Sequence, residues 1–155
     1  MTANTSAWKN QMTSPVNPAI TIDEIVENFS FLDEWDDRYG YLIELGRTLA
    51  PLTDEEMSDA NKVQGCVSQV WVVCDTDSQG ASDLFHFRGA SDAHIVRGLV
   101  AIALTLFSGK TADEIADIDE KETFSAIGLE EHLTPQRANG LRSMVARLKE
   151  IAASR

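Results

Sequence analysis

The residue with the clearest chemical potential is Cys66, in the stretch NKVQGCVSQVW at positions 61–71. A cysteine thiolate is a strong nucleophile when it is accessible. Gly65, just before it, permits backbone angles that other residues avoid, and Ser68 and Gln69 lead into an apolar run. The thiol is therefore predicted at a loop-to-strand junction, where it can be presented to a visiting molecule. A small residue packed under a turn is the alternative interpretation, because free cysteines are often buried.

The second cysteine, Cys74, lies eight positions further on. If the intervening segment is mostly strand, at about 3.3 Å per residue, the two residues are more than about 20 Å apart. A disulfide requires Cα atoms within about 7 Å of each other. We therefore predict two free thiols and a reducing compartment. Cys74 shares a predicted strand face with Val70 and Val72, so its expected role is packing.

Other recognised chemistries are poorly supported. The three histidines, His86, His94 and His132, and the two cysteines show no spacing typical of metal ligands. A cysteine hydrolase needs a histidine base beside its nucleophile, and the sequence leaves open whether His86 or His94 approaches Cys66. The glycine-rich signatures of phosphate-binding loops are absent from the sequence. We expect no metal site.

Two charged residues, Arg137 and Asp92, lie near the predicted starts of helices. Arg137 follows Thr134 and Pro135, the predicted N-cap and first position of the last helix, where the helix dipole disfavours a cation. This predicts a tertiary partner for Arg137, such as a carboxylate. Asp92 follows Ser91, which we interpret as the N-cap of a long apolar helix, so Asp92 is expected to assist capping rather than catalysis.

Composition limits the classes of function. The chain has 155 residues, enough for one domain with a sizeable core. Its formal net charge of −12 makes nucleic acid an improbable partner and favours a basic protein or a small molecule. No stretch has the roughly 20 apolar residues of a membrane span, and the N-terminus lacks the apolar middle of a secretion signal. We predict a flexible leader over 1–19, a single domain over 20–155 and a cytoplasmic location.

Hydrophobic periodicity and capping signals predict the order of the elements. The order is a helix capped by Thr21 and Glu24, a helix over about 35–50, a turn capped by Thr53 and Glu56, strands over 68–74 and 84–88, an apolar helix after Ser91, a short helix capped by Thr111 and Glu114, a turn at 121–127, and a helix opened by Thr134 and Pro135. Helices, then strands, then helices indicate an α+β domain with a small antiparallel sheet packed against helices.

The motif KVQGCVSQVW closely resembles the cysteine-bearing motif of the SufE family, whose members accept sulfur from a cysteine desulfurase during iron–sulfur cluster assembly. Three further stretches resemble the family in the same order: DRYGYLIELGRTL, FRGASDAHIVRGLVAIAL and GLEEHLTPQRANGLRSM. Together they extend from about residue 22 to residue 151. The resemblance therefore does not depend on one short pattern.

The resemblance implies that Cys66 is the sulfur-accepting nucleophile, with Gly65, Ser68, Gln69, Asp92 and Arg137 in supporting roles. It implies a pyridoxal-phosphate-dependent desulfurase of the SufS or CsdA type as donor, and a SufB-like cluster scaffold or another acceptor. The protein itself is expected to carry no cofactor. The family shares its fold with the IscU scaffolds, but those need several cluster ligands, so sulfur transfer fits this sequence better than cluster assembly.

Two other functions stay open at this point. In one, Cys66 works with a histidine as a stand-alone thiol enzyme on a small substrate. In the other, the chain is a non-catalytic acidic adaptor whose cysteine is incidental.

Overall fold

The computed structural model describes residues 20–66, 68–79 and 82–154. The predicted leader, residues 1–19, lies outside the described residues. In chain order the elements are α1 (Ile22–Ser30), α2 (Trp35–Gly46), a 3-10 turn (Asp59–Asn61), β1 (Val70–Gln79), β2 (Ser82–Ser91), α3 (His94–Phe107), α4 (Ala112–Asp117), α5 (Glu120–Ile127), α6 (Leu129–His132) and α7 (Pro135–Ala153). The predicted α+β class is confirmed.

Local capping signals mark several helix starts correctly. Thr21 and Thr111 each form a complete capping box, with Glu24 and Glu114 respectively. Thr134 caps α7 by accepting the Arg137 N–H, and proline occupies the first turn. These bonds join residues three positions apart, so the sequence alone is sufficient to indicate them.

The predicted N-cap at Ser91 is wrong. Ser91 is the last residue of β2 and pairs with Val70, so it stays extended in the sheet. The helix α3 begins at His94 after Ala93, which makes no side-chain cap bond. The Ser91 hydroxyl instead accepts the Ala93 N–H at 3.3 Å. Strand pairing therefore delays the start of the helix.

The sheet is the predicted antiparallel hairpin, and its strands are longer than predicted. β1 and β2 pair from Val70 opposite Ser91 to Gln79 opposite Ser82. Asp75, Thr76 and Asp77, which follow the apolar part of β1, are polar and exposed and resemble a loop in sequence. Pairing between the strands keeps this ribbon extended beyond the core, where it needs no apolar pattern.

Helix α3 forms the centre of the core, as its apolar sequence predicts. Leu99, Ile102 and Leu104 are almost fully buried, and Phe87 of β2 packs in the same cluster. The approach between α2 and α3 is so close that a Cβ at position 98 would collide with the backbone of Leu42. No helix in the described part of the chain is long and apolar enough to cross a membrane.

An ion network fixes the segment that leads from α2 toward Cys66. Glu56 accepts two hydrogen bonds from the Arg88 guanidinium, at 2.5 and 3.1 Å, and Arg88 also pairs with Asp75 at 2.9 Å. Thr53 and Glu56 form the predicted capping bonds, at 3.0 and 3.1 Å, around a turn rather than a helix. The network ties this turn to both strands.

The network predicts a pH-dependent stability. Hydrogen bonds from Arg88, followed by the bond from the Thr53 backbone, lower the pKa of Glu56 from 4.5 to about 2. Because the pKa is lower in the folded state, the stabilisation is complete above pH 4.5 and is lost as the pH falls toward 2. At pH 7 we expect Glu56→Gln to unfold at a lower urea concentration than the wild type. The difference between the two unfolding midpoints should shrink as the pH falls from 4.5 toward 2.

The matched control is Glu55→Gln, since Glu55 is exposed and forms no ion pair in the part of the chain that the structure describes. This variant should follow the wild-type curve at every pH. A difference between Glu56→Gln and the wild type that stays constant from about pH 7 to about pH 2.5 would contradict the proposed titration.

Candidate functional site: the Cys66 cavity

Cys66 lies in the loop before β1, and its side chain faces α7. Its Sγ donates a hydrogen bond to the carbonyl oxygen of Gly140 at 3.5 Å. The side chain is half-buried and borders a cavity of about 30 Å³. The cavity is lined by Cys66, Ser68, Val96, Leu99, Gln136, Arg137, Gly140, Leu141 and Met144. This volume is about the share of one water molecule in the liquid.

Gly65 holds the loop in a conformation that other residues disfavour. Its φ of +91° lies in the left-handed region, as its position before the thiol suggested. A Cβ at this position would also lie 2.5 Å from the Ser143 hydroxyl oxygen on α7. Glycine is thus required both for the backbone angle and for the close approach of the loop to the helix.

Asp92 anchors the other end of the loop. Its Oδ1 accepts the Gln69 N–H at 3.1 Å, and its own N–H donates to the Gln69 carbonyl at 3.3 Å. The expected role of Asp92 in helix capping is therefore wrong, because α3 begins two residues later with a different N-cap. Ser68, between Cys66 and Gln69, borders the cavity. Of these residues, Ser68 lies at the cavity, whereas Gln69 and Asp92 hold the end of the loop at the start of β1.

Arg137 lies in the first turn of α7, and its side chain also lines the cavity. Among the side chains that the structure describes, no carboxylate forms an ion pair with it. The suggested carboxylate partner is therefore not found in this set, and the role of Arg137 stays a prediction.

The sequence pattern did not predict that α7 forms one wall of the Cys66 cavity. Gly140, Ser143 and Met144 form the surface against which the loop rests. One signal was available, because a glycine inside a strong helical pattern costs about 1 kcal/mol and usually has a packing reason. Gly140 has such a reason: a Cβ there would already touch the Cys66 Sγ at 3.4 Å.

The electrostatics of the cavity keep the resting thiol protonated. Burial raises the pKa of the Cys66 thiol above its usual value. The hydrogen bond donated to the Gly140 carbonyl also requires the proton to be present. The nucleophilic form is the thiolate, so Cys66 in this position is in an unreactive state.

Cys66 and Cys74 are both free thiols, so the prediction that they form no disulfide is confirmed. Among the residues that the structure describes, no histidine lines the Cys66 cavity. In the same residues, no group of three or more histidine, cysteine, aspartate or glutamate side chains is arranged to hold a metal ion. The arrangement around Cys66 is that of a lone, sheltered thiol.

A family profile described as "SufE: Fe-S metabolism associated domain" matches residues 23–152. The chain belongs to the SufE family. It is 54% identical over 135 residues to a SufE-like protein of Rhizobium meliloti strain 1021, covering 87% of this chain and 96% of the relative. It has the same identity over 135 residues to a SufE-like protein of Rhizobium etli, covering 87% and 91% of the two chains.

The SufE fold of this chain is similar to a solved structure. The solution structure of a hypothetical protein from Thermus thermophilus matches with a TM-score of 0.64 over 90% of this chain and 96% of that one, at 21% identity. The resemblance drawn from the motif KVQGCVSQVW is confirmed by the family match. Membership of the SufE family implies a role in iron–sulfur metabolism, with a cysteine desulfurase as partner.

The contact between Gly140 and Cys66 in this SufE-family protein leads to a prediction. A leucine at position 140 would occupy the space of the Cys66 side chain, because even a Cβ reaches van der Waals contact with Sγ. We expect Gly140→Leu to displace the thiol toward solvent and to raise its rate of alkylation by iodoacetamide at pH 7 about tenfold, equivalent to about 1.4 kcal/mol.

Gly140→Ala is the graded control, because its methyl group fits at 3.4 Å from Sγ. Its alkylation rate should stay within about twofold of the wild type while the helix becomes more stable. Equal alkylation rates in the wild type and in a folded Gly140→Leu variant would show that the α7 wall does not shelter the thiol.

Proposed function

We propose that this SufE-family protein accepts a sulfur atom from a cysteine desulfurase onto Cys66, stimulates the desulfurase, and delivers the sulfur to an iron–sulfur cluster scaffold. The observation that carries the proposal is the half-buried Cys66 thiol, held by a left-handed glycine over a small, mainly apolar cavity. A carrier needs a thiol that reacts with a partner and shelters its product afterwards.

The proposed transfer step follows thiol–disulfide exchange chemistry. The Cys66 thiolate attacks the outer sulfur of a persulfide on the desulfurase. A new S–S bond forms at Cys66 Sγ, the S–S bond on the desulfurase breaks, and the desulfurase cysteine leaves as a thiolate. One sulfur atom changes carrier and no external oxidant or reductant is needed.

The cavity supports the storage of the product. Its volume of about 30 Å³ beside Cys66 offers space for one additional atom. The apolar side chains of Val96, Leu99 and Met144 disfavour the entry of soluble polar thiols, which would reduce a persulfide. Arg137 lies in the same lining and is suited to stabilise the negative charge of the terminal sulfur.

The anchors of the loop support movement between a sheltered and an exposed pose. On one side the loop is held by the hydrogen bonds between Gln69 and Asp92. On the other side it is held by the close packing of Gly65 against the side chain of Ser143. Between these points the thiol is retained by its 3.5 Å bond to Gly140. Docking of a desulfurase would release this weak bond, bring Cys66 into water and lower the cost of forming the thiolate.

The proposal includes specific partners. The donor is a desulfurase of the SufS or CsdA type, which supplies the pyridoxal phosphate, and the acceptor is a SufB-like scaffold. This chain is proposed to act without a cofactor of its own and in the cytoplasm, where its free thiols are maintained. Family membership supports the iron–sulfur role, and the sheltered thiol supports the carrier role.

The test is incubation of the full chain with a cysteine desulfurase and L-cysteine, followed by intact mass, peptide mapping and desulfurase turnover. A mass increase of one sulfur atom, mapped to the peptide containing Cys66, together with faster turnover, is the expected result. No adduct and no stimulation with a cognate desulfurase would disprove the proposal. Thioester or peptide hydrolysis without any partner would instead favour a stand-alone thiol enzyme.

A further inference from the structure

A second, larger cavity lies at the far end of β2 from the hairpin turn. It is a groove of about 440 Å³, within the range of ligand-binding pockets. One wall is the end of β2 with the start of α3, and the other is the segment after α2. The lining residues are Gly46, Arg47, Leu49, Ala50, Pro51, Leu52, Met57, Gly89, Ala90, Ser91 and Arg97. None of these residues borders the Cys66 cavity.

The end of β2 presents an open strand edge to the groove. Phe85 bonds outward from the hairpin, to the backbone of Lys110 and Gly109 at 2.8 and 2.6 Å. Because backbone direction alternates along a strand, Gly89 and Ser91 also direct their N–H and C=O groups away from β1. Within the described part of the chain, both groups of Gly89 and the Ser91 N–H lack a hydrogen-bond partner.

The residues that carry these unpaired backbone groups line the groove. Gly89 and Ser91 are both buried residues, so little of their surface is exposed outside the groove. Buried N–H and C=O groups are almost always paired in folded proteins. An extended peptide that bonds to the edge of β2 would satisfy them, as in β-strand addition.

The charge of the groove selects the kind of peptide. Arg97 donates from Nε to the Ser91 carbonyl at 2.7 Å, and among the described residues it forms no ion pair. Arg47, at the rim, pairs with Glu44 at 3.3 Å in an exposed position. No carboxylate is among the described lining residues. In a chain of net charge −12, the groove therefore presents guanidinium groups to an anionic ligand.

We propose that this groove binds an extended peptide segment of a partner protein, with alternating apolar residues and a carboxylate that pairs with Arg97. Its backbone adds a strand to the outer edge of β2, and its apolar side chains pack against Leu49, Leu52 and Met57. This proposal does not depend on sulfur transfer at Cys66.

Two other occupants fit the charge less well. Residues 1–19 of this chain contain no aspartate or glutamate, so they offer Arg97 no side-chain carboxylate. A second copy pairing through the same edge would bring Arg47 and Arg97 of both copies together, which like-charge repulsion opposes.

The test uses the ¹⁵N-labelled full chain and the acetylated peptide Val-Thr-Ile-Thr-Glu. We expect saturable shifts of the Gly89 and Ser91 amide signals, with little change at Gly65 and Cys66. The same peptide with N-methyl groups on its alternate, edge-facing amides should bind at least about tenfold more weakly, because it cannot donate to the strand. Equal binding of the two peptides, or shifts centred elsewhere, would overturn the proposal.

The variant Arg97→Gln tests whether Arg97 pairs with the carboxylate of the bound peptide. The wild type should bind the glutamate peptide about tenfold more tightly than its glutamine analogue, and Arg97→Gln should bind both equally. Arg142→Gln, which removes an exposed charge on α7, should keep the wild-type preference. A preference retained in Arg97→Gln would refute the role of Arg97, and a dimer of the free chain that the peptide dissociates would assign the groove to a second copy.

Discussion

Replacing Cys66 by serine is expected to abolish sulfur uptake from a cysteine desulfurase. A serine hydroxyl does not ionise near neutral pH and cannot form the S–S bond that the transfer requires. The change is nearly isosteric, and the hydroxyl can still donate to the Gly140 carbonyl that Cys66 contacts at 3.5 Å. The fold should therefore be retained, and intact mass after incubation with desulfurase and L-cysteine measures the loss directly.

Cys74→Ser is the matched control for the same experiment. Cys74 is the other thiol of the chain, lies on β1 and does not line the Cys66 cavity. Its serine variant should take up one sulfur atom and stimulate turnover as the wild type does. Sulfur uptake by Cys66→Ser equal to that of the wild type would exclude Cys66 as the acceptor. Loss of sulfur uptake in both variants would show that the transfer needs both thiols.

The largest effect on stability is expected from Gly98→Ala. A Cβ at position 98 would collide with the carbonyl oxygen of Leu42 and lie 2.7 Å from its carbonyl carbon. These are backbone atoms of α2, so the collision is relieved only if α2 and α3 separate. We expect a loss of about 3 kcal/mol in the free energy of unfolding, measured by urea denaturation at pH 7.

Gly40→Ala is the control of opposite sign. Gly40 lies inside α2, and among the described residues no atom beyond its immediate backbone lies within 4 Å of an added Cβ. The alanine should therefore stabilise the protein by about 0.5–1 kcal/mol through helix propensity alone. If Gly98→Ala were destabilised by less than about 1 kcal/mol, the close contact between α2 and α3 would not constrain the fold.

Local sequence signals were sufficient to predict much of the secondary structure. The caps at Thr21, Thr111 and Thr134 depend on bonds three residues long, and the hairpin depends on two neighbouring apolar runs. Gly65 was identified for the same reason, because its left-handed angle is a property of one residue. The separation of Cys66 and Cys74 was enough to exclude a disulfide.

Only the tertiary structure reveals the contacts between distant parts of the chain. The Cys66 thiol meets the Gly140 carbonyl across 74 positions, and Asp92 bonds to Gln69 across 23. The N-cap prediction for Ser91 is wrong because a cap signal cannot reveal that a strand partner, Val70, holds this residue extended. Periodicity shows which face of α7 is apolar, but not which loop rests on it. The candidate nucleophile is therefore identifiable from the sequence, whereas its shelter follows from how the helices and the hairpin pack.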